Sequence, residues 1–365
     1  MKICIIGDGL TSLSLAKSLI NKKINVHMYH KKKVKKLSSS RTIGISQSNL
    51  EFFEKEIYNI PKKSRWEIKK IEIYSEKMKG QSLLNFENDK SNLFYMVKND
   101  ELYNLLRKNI IRNNIFKEII ITKNNFYEEI LNKKKYDLII NCDLNNLLSK
   151  KYFTKKINKD YFNLAYTTIL KHKKIKNNIA IQIFTKFGPI AFLPISEVET
   201  SVVCSLDIKS KKYDDSEVVD LINKNNPKYQ IKKIFTPSSF KLSSSNIRNY
   251  YHKNILAFGD SLHKIHPLAG QGFNMTIRDI KVLSGIIQKK IDLGIQLDSS
   301  ILNDFENKTK SKNFLFSNGI DFIYEIFDIE KKTKSKSFNK IMKIIGKNKN
   351  LTNYLVKLAD RGLSF

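Results

Sequence analysis

Residues Asn254–Asp279, NILAFGDSLHKIHPLAGQGFNMTIRD, decide the reading of this chain. Ile255-Leu256-Ala257-Phe258 is an apolar run with the length of a buried strand. Gly259-Asp260 ends it, and Pro267, Gly270 and Gly272 disfavour regular structure up to Phe273. From Phe273 to Gln288 the apolar residues Ile277, Ile280, Leu283 and Ile287 recur at helical spacing. The pattern predicts a strand ending in an acid, then a loop, then a helix whose unpaired first N–H groups face that loop. The positive dipole end of such a helix suits an anionic or electron-rich oxygen. Glycines at 270 and 272 let a planar ligand approach backbone that a Cβ would shield.

The start of the chain makes a matching suggestion. Lys2–Ile6 is a short apolar strand, Gly7-Asp8-Gly9-Leu10-Thr11-Ser12 follows, and a helix runs to about Asn21 before a second strand, Asn25–Tyr29. This is a βαβ unit with a G-x-G-x-x-S turn, the dinucleotide fingerprint with Ser12 in the third glycine's place. Gly7 permits the tight turn, and Gly9 permits a pyrophosphate to reach the helix N-terminus. An acid is expected at the end of the second strand, about 20 residues on, to bind ribose hydroxyls. His30 stands there instead. A neutral imidazole can accept one ribose hydrogen bond, less well than a carboxylate.

GDSLHKIHPLAGQGFNMTIRD resembles the second flavin-binding motif of the FAD-dependent aromatic-ring hydroxylases, the para-hydroxybenzoate hydroxylase superfamily. Within it the stretch is similar to the ubiquinone-biosynthesis branch, with the pattern GD-x-x-H-x-x-HP-x-x-GQG-x-N-x-x-x-x-D. Gly259, Asp260, His263, His266, Pro267, Gly270, Gln271, Gly272, Asn274 and Asp279 match it. Ser40–Ser46 resembles the family's R-x-x-x-L-S segment with Ile45 for leucine, which makes Arg41 the candidate near the flavin and its phosphates. A solvated arginine at a strand start is the alternative. Tyr95–Leu106 resembles Y-x-V-x-N-x-x-L, so Asn99 either caps a helix or lies near the flavin. Gly188–Pro194, GPIAFLP, looks like the branch's substrate-facing G-P-x-A-x-L-P, and Pro189 and Pro194 suit an edge or bend lining a cavity. Of the family's G-A-D-G-x-x-S motif, Asn141-Cys142-Asp143-Leu144 keeps only the acid.

The resemblance implies an α/β fold: an FAD-binding, Rossmann-like domain in three layers with an inserted mixed β-sheet substrate domain and a helical C-terminal tail. The boundaries it suggests are 1–65, 95–155 and 240–300 for the FAD-binding domain, 66–94 and 156–239 for the substrate domain, and 301–365 for the tail. It implies FAD held by Gly7, Gly9, Thr11, Ser12, His30, Arg41, Asn99, Asp260, Pro267, Gly270, Gln271, Gly272, Phe273 and Asn274, with NAD(P)H as electron donor. Asp260 would serve the ribityl or phosphate side, and Pro267 would lie by the ring. The implied reaction is hydroxylation of a phenol with O₂, in the ubiquinone branch a polyprenylated one. The alternatives are a related flavoprotein acting on another lipid or small aromatic, and a non-catalytic flavin-fold scaffold of a biosynthetic complex. A metal site at Asp260, His263 and His266 is the weaker reading, since no further ligand cluster accompanies them.

Composition bounds these expectations. The 365 residues suffice for two domains, and 41% apolar with 28% charged content is globular. Lys and Arg number 66 against 35 Asp and Glu, a net charge of +31. The excess is Lys scattered among Asn and Ile, residues that share A/T-rich codons, with attraction to an anionic membrane as a secondary effect. No basic motif with interleaved aromatics supports a nucleic-acid partner. Cys4, Cys142 and Cys204 are odd in number and widely spaced, as reduced cytoplasmic thiols are. No window approaches the roughly 18 apolar residues of a spanning helix, and Ile3–Ile6 is too short for a signal peptide. The expectation is a cytoplasmic protein, with the inner face of the cytoplasmic membrane and other quinone-biosynthesis enzymes as peripheral partners. Phe314–Phe327, Phe338–Ile345 and Leu351–Leu358 have apolar faces flanked by lysines, which suit either a membrane surface or packing on the parent domain.

Overall fold

Ile3, Cys4, Ile5 and Ile6 are consecutive and all fully buried, which a strand achieves only in a sheet covered on both faces. They form β1 (Lys2–Ile6), followed by α1 (Leu10–Asn21) and β2 (Asn25–His30), with β2 parallel to β1. This computed structural model describes residues 1–31, 40–76, 82–87, 91–122, 126–132, 135–209, 211–266, 270–333 and 348–362.

Next come β3 (Thr42–Ser46), α2 (Gln47–Glu56), β4 (Trp66–Ile68), β5 (Lys70–Ser75), β6 (Ser82–Glu87) and β7 (Phe94–Lys98). Then follow α3 (Asn99–Ile110), β8 (Phe116–Ile120), α4 (Phe126–Asn132), β9 (Leu138–Asn141) and α5 (Leu147–Tyr152). The middle of the chain holds β10 (Lys156–His172), β11 (Ile179–Thr185), β12 (Gly188–Pro194), β13 (Glu199–Asp207), α6 (Asp215–Lys224), β14 (Ile231–Ile234) and β15 (Ser238–Ile247). β16 (Tyr251–His252), β17 (Ile255–Ala257) and β18 (His263–Lys264) lead to α7 (Gln271–Asp292), α8 (Ser300–Thr333) and α9 (Lys349–Arg361).

The first sheet has the order β16-β17-β9-β1-β2-β8 and is parallel except for the short edge strand β16. α1 packs on β1 and β2 with α3 and α7 against it, and on α7 the predicted residues Ile277, Ile280, Leu283 and Ile287 are all fully buried in the same core. Burial of each such side chain stabilises the fold by roughly 1.5–3 kcal/mol. The second sheet is mixed: β18-β15-β10-β13-β12-β11-β5-β6, with β14 beside β10 and only β11–β5 parallel. β3, β7 and β4 make a small third sheet between these parts of the chain.

Two expectations are corrected, and the tail expected to be helical is given its bounds. Residues 240–247, grouped by sequence with the flavin part, form most of β15 and belong to the second sheet, because β10 is long enough to pair with them as well as with β13. The strand of Gly188–Pro194 is neither an edge nor a bend, since β12 is flanked by β11 and β13, and its two prolines are tolerated next to the strand ends. The tail is one helix from Ser300 to Thr333 and another from Lys349 to Arg361, while Phe338–Ile345 lies outside the described residues.

Candidate functional site

β17, β9, β1 and β2 are neighbours and parallel, so their carboxyl ends lie side by side. The turns that leave them surround one cleft of about 370 Å³. Ile6–Gly9 come from β1, His30 and Lys31 from β2, Cys142–Asn145 from β9, and Asp260 from β17. Ligands of open α/β sheets sit at this carboxyl edge.

The two glycine loops singled out in the sequence meet here. A Cβ on Gly259 would fall 2.6 Å from Thr11 Cγ2, so the first turn of α1 and the loop after β17 are in direct contact. Gly7 has φ +121°, and a Cβ there would crowd Ser12 Oγ and Cys142 Cβ. Gly9 opens on free space, as an approaching diphosphate requires. α1 starts at Gly9 and α7 at Gly270; neither is capped by a side chain, and neither has an acid in its first turn. The first backbone donors of both helices are thereby left for a ligand. Gln271 is buried and its Oε1 has no hydrogen-bond partner among the described residues. A Cβ on Gly270 would come 3.8 Å from Gly44 N, so the second loop also borders β3. These features fit the diphosphate and the ring system of FAD.

Charged groups frame the cleft. His30 Nδ1 donates to the Lys31 carbonyl at 2.8 Å and lies 3.8 Å from Asp8 Oδ2, while Nε2 is 2.9 Å from Glu118 Oε1. Arg107 holds the other oxygen of Glu118 at 2.8 Å. Behind the loop, buried His263 pairs through Nε2 with Asp279 at 2.5 Å, and Asn313 donates to the same carboxylate at 3.0 Å. His266 lies against Tyr161 and Tyr324, with ring centroids 4.7 and 4.5 Å away, and burial, aided by Lys159, lowers its pKa to about 3. His263 and His266 are thus engaged apart from Asp260, and no cluster suited to a metal occurs among the described residues. Burial also pushes the Cys142 thiol up to about 12, so this cleft-lining cysteine is not a nucleophile at neutral pH.

A family model described as an FAD binding domain matches residues 159–292. The chain is 26% identical to a Dictyostelium discoideum protein named ubiquinone biosynthesis monooxygenase COQ6, over 40% of this chain and 37% of that protein. It is 31% identical to the 3-demethoxyubiquinol 3-hydroxylase of Escherichia coli K12, over 40% of this chain and 39% of that protein. The chain spans about two-fifths of the length of these curated relatives. The crystal structure of p-nitrophenol 4-monooxygenase PnpA from Pseudomonas putida DLL-E4 superposes with a TM-score of 0.76 at 10% identity, covering 100% of this chain and 98% of that one. The chain is thus similar to an FAD-binding family over part of its length, to ubiquinone-biosynthesis hydroxylases in sequence and to an aromatic monooxygenase in fold.

The structure brings together part of the hydroxylase residue set read from sequence. Gly7, Gly9, His30 and Asp260 line the cleft, with Thr11 and Ser12 packed directly behind it. Gly270, Gln271 and Gly272 sit at the start of α7, and Pro267 lies outside the described residues. Phe273 turns inward to Phe53, ring centroids 6.2 Å apart. The Asn274 side chain is occupied as a clasp: it donates to Gly44 O at 2.9 Å and accepts from Ser46 N at 3.0 Å. Arg41 is exposed and lies over the Phe240 ring at 5.6 Å, outside the residues that line the cleft, and its carbonyl accepts from Asn99 N at 3.0 Å. Asn99 is not the cap of α3 but its first residue, and Lys98 precedes it without a side-chain cap bond. On β12, Ile190 and Phe192 are buried against Val218 and Ile222 of α6, while Leu193 faces Trp66, Phe94 and Met96. Asp8 and Glu118 were not legible as site residues. Asp8 stands at an x of the G-x-G-x-x-S turn, which the motif leaves open, and Glu118 sits on β8, whose FKEII pattern has no clear alternation.

Proposed function

We propose that this chain is an FAD-dependent monooxygenase that hydroxylates a phenolic ring with electrons from NAD(P)H and oxygen from O₂. We further propose that the phenol carries a polyprenyl tail and lies on the way to ubiquinone. The observation that carries this reading is the contact of Thr11 with Gly259, which joins both glycine loops at one cleft. FAD bound there supplies the electron transfer and oxygen activation. The chain's own part is placement and exclusion of water. Glycines 7 and 9 and the free N–H groups of α1 suit the diphosphate. The uncapped start of α7 suits the negative charge that develops on a reduced flavin ring. The face of β12 that carries Leu193 is our candidate border of the phenol's place.

The substrate class is supported by the relatives, whose names place them in ubiquinone chemistry. A polyprenyl phenol resides in the bilayer. Phe314, Leu315 and Phe322 of α8 are 42%, 52% and 63% exposed, and with the net charge of +31 they favour peripheral contact with an anionic membrane. This reading puts the enzyme at the inner face of the cytoplasmic membrane, near other quinone-biosynthesis enzymes. Among the described residues no helix is long and apolar enough to cross a membrane. The test is to follow NADH and NADPH oxidation by the purified protein in air with a prenylated phenol, beside the quinone profile of a strain lacking the gene. Accumulation of an under-hydroxylated quinone precursor is expected. An unchanged profile rejects the substrate, and absence of flavin-dependent NAD(P)H oxidation rejects the enzyme in favour of a flavin-fold scaffold.

A further inference from the structure

Three carboxylates, Asp8, Asp143 and Asp260, line the cleft where a diphosphate is to lie. A carboxylate beside a dinucleotide belongs at a sugar hydroxyl, which can donate to it, and away from phosphate, which repels it. The end of β2 ordinarily provides that acid, and here it holds His30. Neither ring nitrogen of His30 is turned to the cleft as an acceptor: one is bonded to the Lys31 carbonyl and the other faces Glu118. Asp8, between the two glycines of the first turn, leans towards the same place, its Oδ2 3.8 Å from His30 Nδ1. Its side chain is 23% exposed and lines the cleft. Arg107, Glu118, His30 and Asp8 thus form a row of charged and polar groups that runs to the cleft.

We propose that Asp8 is the carboxylate that binds the adenosine ribose of the dinucleotide, taking over the role usually filled from the end of the second strand. His30 and Glu118 are positioning residues: they fix one side of Asp8 so that the carboxylate faces the sugar. The inference rests on the FAD reading above. It also accounts for an acid in a glycine turn that otherwise serves a diphosphate, since the carboxylate is drawn sideways to His30.

The test is a fluorescence titration of the full-length apoprotein with FAD and with an FAD analogue lacking the adenosine 2′-hydroxyl. A hydrogen bond from a hydroxyl to a carboxylate corresponds to roughly ten- to a hundredfold in affinity, so the wild-type chain should bind the analogue more weakly by about that factor. In Asp8→Ala the two ligands should bind within about threefold of each other, whereas His30→Ala, which leaves the carboxylate but not its positioning, should keep a reduced preference. Equal binding of both ligands by the wild-type chain overturns the proposal, as does a full preference in Asp8→Ala. Tight FAD binding without preference removes this inference alone, whereas no binding of either ligand removes the cofactor reading with it.

Discussion

Thr11 and Gly259 touch so closely that any side chain at 259 would displace the other: a Cβ there falls 2.6 Å from Thr11 Cγ2. The contact is where the N-terminal βαβ unit and the loop after β17 become one site. Gly259 also has φ +63°, which a residue with a Cβ adopts only at a cost. Gly259→Ala should therefore destabilise the fold by roughly 2–4 kcal/mol and lower the FAD content of the purified protein. Thr11→Ser removes the clashing methyl, so the double variant should recover part of the loss in a denaturant titration.

Gly188 opens β12 with φ +138°, and a Cβ on it would stand 1.9 Å from the Ser205 carbonyl oxygen. That oxygen belongs to the neighbouring strand and cannot give way. Gly188→Ala should cost more than about 4 kcal/mol, read as loss of soluble protein or of the cooperative thermal transition.

Asp360, on the last helix, caps a helix near the start of the chain. Its Oδ1 accepts from Ser48 N at 2.8 Å, at the second residue of α2, and its carbonyl accepts from Ser46 Oγ, Ser48 Oγ and Asn49 Nδ2. It also faces Arg278, a half-buried residue whose guanidinium lies over the Phe316 ring at 4.6 Å and whose pKa burial lowers to about 10. Asp360→Ala should lower stability by roughly 1–3 kcal/mol, through the lost cap and the lost counter-charge. Asp360→Asn, which can still accept at the cap, should lose less. Urea midpoints of the two variants separate the terms.

His266 gives a pH signature with a defined sign. Its ring stays neutral in the fold down to about 3, while in the unfolded chain it takes a proton near the ordinary 6.5. The unfolded state binds more protons in between, so stability is full above about pH 6.5 and falls as pH drops towards 3, with a slope of up to about 1.4 kcal/mol per unit. His266→Phe keeps an aromatic ring between Tyr161 and Tyr324 and cannot titrate. Melting temperatures across pH 4–7 should show a flatter acid side for the variant than for the wild-type chain.

The parts of the fold legible in the sequence are those written in strong local signals. Apolar runs broken by Gly7-Asp8-Gly9 and by Gly259-Asp260 mark strand ends, and α7 shows its buried face in Ile277, Ile280, Leu283 and Ile287. What stayed hidden depends on distant partners. The prolines of β12 argue for an edge, yet pairing from both sides puts it inside the sheet. Motif similarity placed Arg41 near the flavin but could not give its direction, which Phe240 on β15 sets. Ile301, Leu302 and Phe305 begin the buried face of α8 a full three turns before the stretch that looked helical, because charged neighbours dilute the pattern. No local rule reveals Asp360 as the cap of α2, since cap and helix lie at opposite ends of the chain.

The most direct measurement is the visible absorbance spectrum of the purified full-length chain after removal of loosely held cofactor and reconstitution with FAD. The account predicts a flavin spectrum with close to one FAD retained per chain, and loss of it in Gly259→Ala. A chain that is folded by circular dichroism, yet retains no flavin at micromolar FAD, would contradict it.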